Sequence, residues 1–226
     1  MSKTTIPTGG ITADAINGTL IADDAIDSEH YTDGSIDTAH IGDNQVTAAK
    51  ATGVGNLVKI TSGSASSGDS AITIAGCFTS TYKIYKLFLY DWNTSNDQEV
   101  YLRWLTGTNT EQSGSSSYQY AGVGRNTDSQ GSDWNGLTDY GKITGETVRH
   151  DSDEHFAWEG VLFNPAGTTL KKRLVFGGGG RRTGNYGFNG HGTLEWNATT
   201  AITGVKFYPQ GNTIDSASYA IYGVVT

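Results

Sequence analysis

Apolar residues recur every five positions along the first fifty residues of the chain. The series is Ile6, Ile11, Ile16, Ile21, Ile26, Tyr31, Ile36, Ile41 and Val46, without a single slip. A five-residue step scatters side chains around an α-helix, at about 100° per residue, and alternates them between the two faces of a flat strand. The segment matches neither element. We therefore expect a repeated kinked unit of ten residues with one turn in each unit.

One chain alone cannot stabilise this segment by burying its own apolar residues. Ordering five residues costs about 5–10 kcal/mol of backbone entropy, whereas burial of one isoleucine returns about 1.5–3 kcal/mol. Several copies in register add hydrogen bonds between chains and bury each isoleucine against its counterparts. All nine apolar residues are therefore expected to face the axis of an oligomer. The alternative is an acidic disordered tail, which the strict spacing disfavours, because disorder requires no register.

Charge and composition exclude several classes of protein. The net charge is −8, and residues 1–50 contain eight acidic side chains against two lysines. Such a balance disfavours nucleic-acid binding, which depends on basic surfaces. No run of 18 apolar residues is present, so no membrane insertion is expected. The one cysteine, Cys77, excludes an intramolecular disulfide.

Residues 57–226 have the pattern of an all-β domain, preceded by a stalk and attachment segment at residues 1–56. Val100, Leu102 and Trp104 share one face of a run that alternates cleanly. About ten such runs fit a two-sheet sandwich of jelly-roll type. The predicted strands are 57–60, 71–75, 84–91, 99–105, 117–123, 156–164, 171–176, 193–196, 205–208 and 219–225.

Two stretches resemble structural proteins of tailed bacteriophages. The sequence ADDAIDSEHYTDGSIDTAHIGDNQV at residues 22–46 resembles repeats of phage fibre and other virion proteins, especially in phages of aquatic bacteria. This resemblance implies a parallel homotrimer. The sequence FTSTYKIYK at residues 78–86 resembles the opening of a β-rich domain in phage fibre and head proteins, and strands near residues 100, 117, 204 and 219 follow in the same order. This second resemblance implies a distal binding domain on a virion fibre.

The expected protein is thus a trimeric virion fibre that has no enzymatic activity and recognises a host surface polysaccharide. Only five residues precede Ile6, so we expect residues 1–15 to dock directly onto another virion protein of the tail, baseplate or capsid. Two alternatives stay open. One is a capsid head fibre or decoration protein with a structural role only, and the other is a polysaccharide depolymerase, which would need two converging carboxylates.

Aromatic and basic residues in polar loops are the candidates for binding a glycan. Aromatic faces beside Asn, Asp and Arg suit the apolar face and the hydroxyls of a sugar. Trp134 and Tyr140 are flanked by Asp, Asn and Gly and are expected to be exposed, whereas Tyr118 and Tyr120 are expected in the core. The full candidate set is Trp92, Trp134, Tyr140, Arg181, Arg182, Tyr186 and His191.

Two further motifs have weaker chemical interpretations. The sequence HDSDEH at residues 150–155 offers Asp151, Asp153, Glu154 and His155 as ligands for a metal ion, with a solvated acidic loop as the alternative. No other feature of the sequence implies a cofactor. The glycine run at residues 177–184 lacks the Gly-Lys-Ser/Thr sequence and the following helix of a phosphate-binding loop. We expect it to form a mobile hairpin loop.

Overall fold

The chain divides into two compact units, Met1–Val54 and Gly55–Thr226. We call them the repeat segment and the head domain. The boundary lies two residues before the expected one. The computed structural model describes residues 7, 9–12, 15–17, 19–22, 25–26, 29, 31–36, 39–42, 45–46, 56–128, 131–151, 153–182, 184 and 186–225. Ile6 and most of residues 1–15, which carry the expected docking function, lie outside the described residues.

Turns recur in the repeat segment every five residues, twice as often as the sequence predicts. Backbone N–H groups of Gly10, Ala15, Leu20 and Ala25 donate to carbonyl oxygens three residues earlier, at 2.8–3.1 Å. The same bond recurs at Ser35 and Gln45. Turns therefore occupy both kinds of pentad. The expectation of one turn per ten residues was wrong, because pentads that lack Asp-Gly or Asp-Asn also close a turn.

The apolar residues of the repeat segment are only partly covered within one chain. In the five-residue series, seven exposed fractions range from 39% at Ile41 to 56% at Val46, and Ile21 is half-buried. The remaining members within this range are Ile11, Ile16, Ile26, Tyr31 and Ile36. The turns thus order the backbone locally without burying the side chains of the five-residue series.

The described residues of the head domain form thirteen strands. They are β1 (Leu57–Asp69), β2 (Ile72–Ile74), β3 (Ile84–Thr94), β4 (Val100–Thr106), β5 (Thr110–Glu111), β6 (Tyr118–Asn126), β7 (Gly131–Thr138), β8 (Gly141–Lys142), β9 (Phe156–Phe163), β10 (Lys172–Arg182), β11 (Tyr186–Trp196), β12 (Gly204–Pro209) and β13 (Ile214–Val224). The described residues contain no α-helix, and none of them belongs to a helix able to cross a bilayer. The all-β prediction is confirmed.

Two antiparallel sheets face each other across the core. The large sheet has the strand order β1-β13-β3-β9-β10-β11-β6-β7, and the small sheet has the order β2-β12-β4-β5, with β8 also paired to β4. Side chains from both sheets meet between them, as where Trp158 of β9 packs edge-on against Phe207 of β12 at 5.7 Å between ring centroids. Val100, Leu102 and Trp104 are fully buried on one face of β4, as predicted.

The glycine run is a strand in the middle of the large sheet, so the expectation of a mobile hairpin loop was wrong. Residues Gly177–Gly179 pair with β9 on one side, and Gly177–Arg182 pair with β11 on the other. Glycine carries no side chain and therefore contributes nothing to an apolar alternation pattern. A Cβ atom on Gly178 would lie 2.7 Å from the carbonyl oxygen of Ala157. Close approach of neighbouring backbones explains glycine here.

Large aromatic rings cover glycines on the inner face of the large sheet. The indole of Trp134 on β7 occupies the space that a Cβ would need at Gly122 and Gly190 of this sheet, and at Gly145 in the loop after β8. The ring of Phe176 lies in the same way over Gly192 on the adjacent strand. Bulky and absent side chains therefore alternate across the strands, which lets wide rings pack flat against the sheet.

Candidate functional site

The outer face of the large sheet, turned away from the core, presents small and apolar side chains among a few polar ones at its centre. One row across the strands consists of Phe88, Glu159, Gly177, His191, Val123 and Asp133. Val123 and Val175 are 46% and 44% exposed on this face. Exposed sheet faces ordinarily carry polar residues. An apolar outer face is therefore a candidate binding surface.

An open groove of about 880 Å³ crosses this outer face between β13, β3, β9 and β10. Its size lies within the range of small-ligand sites, about 300–1,000 Å³. Small residues, Ala157, Gly177 and Ala220, line it together with the larger side chains of Leu57, Phe88, Tyr90, Glu159 and Tyr222. Phe88 and Tyr222 pack edge to face at 5.8 Å between ring centroids. We call this site the aromatic groove.

A break in strand regularity lies beside the aromatic groove. The register of β3 against β9 shifts between Leu89 and Trp92, and Asp91 within this bulge has a positive φ of 53°. The Ser216 hydroxyl of β13 donates a hydrogen bond of 3.0 Å to the Asp91 carbonyl oxygen. Bulges bend a strand and reorient its side chains. Tyr90, which is 41% exposed, precedes Asp91 in this bulge.

A polar surface lies on the outer face of the small sheet. The guanidinium of Arg103 bonds Glu111 at 2.7 Å, contacts Asp139, and lies 5.3 Å from the ring centroid of Tyr208. Lys206 bonds the second oxygen of Glu111 at 2.7 Å. These charges balance one another within the sheet. We therefore assign this cluster to stability and not to ligand binding.

Glu111 makes the stability of the head domain sensitive to acid. Burial alone would raise the pKa of its carboxyl, but hydrogen bonds and positive charge from Arg103 and Lys206 outweigh burial, so the pKa lies below its usual range. Between the two pKa values of Glu111, the unfolded chain consequently binds more protons than the folded one. The stabilisation of the fold by Glu111 is fully present above about pH 4.3, the usual glutamate pKa. This stabilisation is lost as the pH falls through the lower pKa that Glu111 has in the folded protein.

We expect Glu111→Gln to lower the melting temperature of the head domain at neutral pH and to flatten its decline in acid. All five tryptophans lie in the head domain, so their fluorescence reports its unfolding. The melting temperatures of variant and wild type should converge as the pH falls below the lowered pKa of Glu111 in the folded protein. Glu159→Gln, which removes an exposed carboxylate that is unpaired among the described residues, is the control. Parallel pH curves for wild type and Glu111→Gln would contradict this role.

Three aromatic candidates for glycan binding are not exposed as expected. Trp92 is fully buried, and Trp134 is only 7% exposed. Tyr140 is half-buried and stacks on Tyr101, with 4.0 Å between ring centroids. The expectation for Trp134 was wrong, because its polar neighbours belong to β7 and alternate with it to the opposite face. Tyr118 and Tyr120 are buried, as predicted.

The remaining glycan candidates divide between two places. Arg182 pairs with Asp128 and lies 5.1 Å from the ring centroid of Tyr186, at the end of the β10–β11 hairpin. Arg181 in the same hairpin contacts Glu154 at 3.5 Å. His191 lies on β11, five residues after Tyr186, and is paired with Gly177 on the outer face of the sheet. The structure therefore does not unite these four residues in one site.

The acidic motif brings three of its four predicted ligands together. Carboxylate oxygens of Asp151, Asp153 and Glu154 lie within 4.8 Å of one another, and His155 is not part of the group. Arg149 contacts Asp151 and lies 3.4 Å from Glu154, while Arg181 lies 3.5 Å from Glu154. Two guanidinium groups already offset most of this negative charge. A cation would have to compete with them.

Sequence reasoning missed the residues of the aromatic groove. Phe88 and Tyr90 occur in a run where Tyr85, Leu87 and Leu89 form the opposite, buried face. Both faces of this strand are apolar, so the alternation alone did not indicate which aromatic residues would be exposed. The sequence did contain one indication, because the run that forms β3 carries apolar residues on both faces. If only one face of a sheet packs against the core, the other apolar face must be exposed.

Comparison of the chain with family models, with curated proteins and with solved structures gave no match of any of the three kinds.

Proposed function

We propose that the chain is a homotrimeric virion fibre protein of a tailed bacteriophage, in which the repeat segment joins the copies and the head domain recognises a host surface glycan. Residues 1–15 would dock onto another virion protein, and the role is binding and not catalysis. In this proposal the all-β head is a jelly-roll-like sandwich, following its resemblance to phage domains.

The observation that carries this proposal is the partial exposure of the apolar residues in the repeat segment. Seven of them retain 39–56% of their exposure within one chain, although their backbone is ordered by turns. Side chains at five-residue intervals gain burial only from another molecule. Identical copies in register offer the same interval and therefore the closest match. Nine such positions along the chain make copies of itself the preferred partner.

The receptor role is supported by the aromatic groove on the head domain. A concave surface with exposed aromatic side chains and few polar groups is the usual form of a small-ligand site. Among the described residues that line the groove, Glu159 is the only carboxylate. Glycoside hydrolysis commonly uses a pair of carboxylates, so the lining favours recognition over cleavage.

Light scattering of the purified full-length protein tests the assembly. The expected mass is three times the chain mass of 24.0 kDa, and a monomer would contradict the fibre proposal. Deletion of residues 1–15 should leave a soluble trimer that no longer joins virions. Loss of the trimer on this deletion would assign chain association to those residues instead of docking.

Competition with phage adsorption tests the receptor role. Excess purified protein should reduce adsorption of the phage that carries it, whereas a decoration protein would leave adsorption unchanged. Antibody labelling of virions provides a second measurement, because a decoration protein would be distributed over the capsid shell. Labelling of the shell without competition would favour the structural alternative.

A further inference from the structure

We propose that the aromatic groove is the sugar-binding site of the head domain, and that it accepts a pyranose without an acidic group. The acceptable ligands are neutral sugars and amino sugars, and the excluded ones carry carboxylate, phosphate or sulfate. This inference rests on the proposed function, because it specifies which surface of the head domain binds the glycan and which class of glycan it selects.

The shape of the groove suits a flat amphipathic ring. Ala157, Gly177 and Ala220 are among the smallest residues of its lining, so a ligand can approach the backbone of β9, β10 and β13. Exposed aromatic rings beside them offer apolar surface to the C–H face of a pyranose. Backbone groups and the single carboxylate then remain to orient its hydroxyls.

Tyr90 is the aromatic side chain that the fold itself positions for a ligand. It is 41% exposed and adjoins Asp91, whose positive φ of 53° is an uncommon conformation for a residue other than glycine. The hydrogen bond from Ser216 holds this conformation. Local strain of this kind is concentrated at binding sites. In a regular strand without the bulge, the residues that follow Tyr90 would simply alternate between the two faces of the sheet.

Lys86 lies nearby, with its Nζ 5.9 Å from the Phe88 ring centroid, but Glu159 is the charged side chain of the lining itself and sets its preference for ligand charge. It is the only charged side chain among the described residues of the groove lining, and it is exposed. An ionised carboxylate accepts hydrogen bonds from sugar hydroxyls, and more strongly from an ammonium group. It repels a second carboxylate at the same site. Neutral and amino sugars therefore fit the groove, and acidic sugars do not.

Gly177 allows the groove to be blocked without disturbing the core. A Cβ atom at this position would meet its nearest neighbours at 3.6 Å and 3.7 Å, which are ordinary van der Waals contacts. A valine side chain would therefore project from the floor into the space beside Glu159. Gly177→Val should abolish sugar binding while the head domain stays folded.

The test is saturation-transfer NMR on the full-length protein, with methyl glucoside, methyl galactoside, N-acetylglucosamine, glucosamine, glucuronic acid and sialic acid as probes. At least one neutral or amino sugar should bind, and both acidic sugars should not. Tyr90→Ala should weaken binding at least tenfold. Glu159→Gln should reduce any preference for glucosamine over N-acetylglucosamine and weaken the exclusion of glucuronic acid.

Phe163→Ala is the matched control, because Phe163 is 43% exposed, close to the 41% of Tyr90, yet lies outside the groove. It should change binding by less than twofold. Each variant must also keep the wild-type melting temperature and mass. A lower mass for Tyr90→Ala or Gly177→Val would show that another copy of the chain covers the groove, which would overturn the proposal.

The outcomes separate this inference from the proposed function. Failure of the wild type to compete with phage adsorption contradicts the receptor role. Competition by the wild type, combined with no binding of any neutral or amino sugar, overturns the ligand class alone. Sugar binding that survives both Tyr90→Ala and Gly177→Val overturns the site, and equal binding of glucuronic acid overturns the charge selection.

Discussion

Replacement of Trp134 by alanine is expected to destabilise the head domain by about 3–5 kcal/mol, the usual cost of truncating a buried tryptophan. The indole is 7% exposed and fills the space above Gly122, Gly145 and Gly190. Because glycines provide no side chains that could move into the resulting cavity, little relaxation is available. Urea denaturation followed by circular dichroism measures the change.

Leu137→Ala on the same strand is the control for Trp134→Ala. Leu137 is 50% exposed, and surface substitutions ordinarily stay within about 0.5 kcal/mol. A loss for Trp134→Ala as small as that of Leu137→Ala would show that Trp134 lies at the surface, as its polar neighbours in the sequence suggested.

A second substitution tests whether the indole really occupies the space above Gly145. The three atoms nearest to a Cβ added at Gly145 would all belong to the Trp134 ring, at 2.3–3.0 Å. Gly145→Ala should therefore destabilise the wild type and cost markedly less in the Trp134→Ala background. Equal costs in both backgrounds would exclude contact between the two sites, because independent substitutions are additive.

Gly178→Val is expected to destabilise the head domain by about 1–3 kcal/mol or more, as overpacking does, whereas Gly177→Val should be close to neutral. A Cβ at Gly178 would lie 2.7 Å from the Ala157 carbonyl oxygen and 3.1 Å from the Trp158 Cα. These are backbone atoms of a paired strand and cannot move without disrupting its hydrogen bonds. Parallel thermal melts of the two variants provide the comparison.

The two valine variants are chemically identical and differ by one position in one strand. Similar melting temperatures for both would contradict the strand assignment for the glycine run. In a mobile hairpin loop, neither position would have a fixed neighbour, and both substitutions would be tolerated.

Local alternation predicted much of the head domain. In β4 the apolar residues Val100, Leu102 and Trp104 face the core, whereas Tyr101 and Arg103 lie on the opposite face, and this period of two directly identified a strand. All ten predicted runs coincide with strands of the structure. Periodicity succeeds here because each side chain reports the face on which it lies.

Alternation of apolar residues did not predict the strands in which side chains are absent or polar. Residues 177–182 and 131–138 consist largely of glycine and short polar side chains, which are typical of turns. Both segments are nevertheless strands, because neighbouring strands pair with them and aromatic rings cover their inner face. Those interactions are made by residues distant in the sequence, so no local pattern could predict them.

The aromatic groove could not be predicted for a related reason. Its lining comes from five strands, and Leu57 and Tyr222 lie at opposite ends of the head domain sequence. A site of this kind exists only after the strand order is known. The bulge at Asp91 adds a backbone conformation that residue type alone does not indicate.

The five-residue turn of the repeat segment makes its length modular. Among the described residues, six pentads close their own hydrogen-bonded turn, and every pentad carries one apolar residue of the series. Gain or loss of a whole pentad would therefore leave every remaining turn and every apolar position in phase. Any other change of length would interrupt the series at one point. Such a segment can evolve in discrete five-residue steps by duplication or deletion, without a compensating change in the head domain.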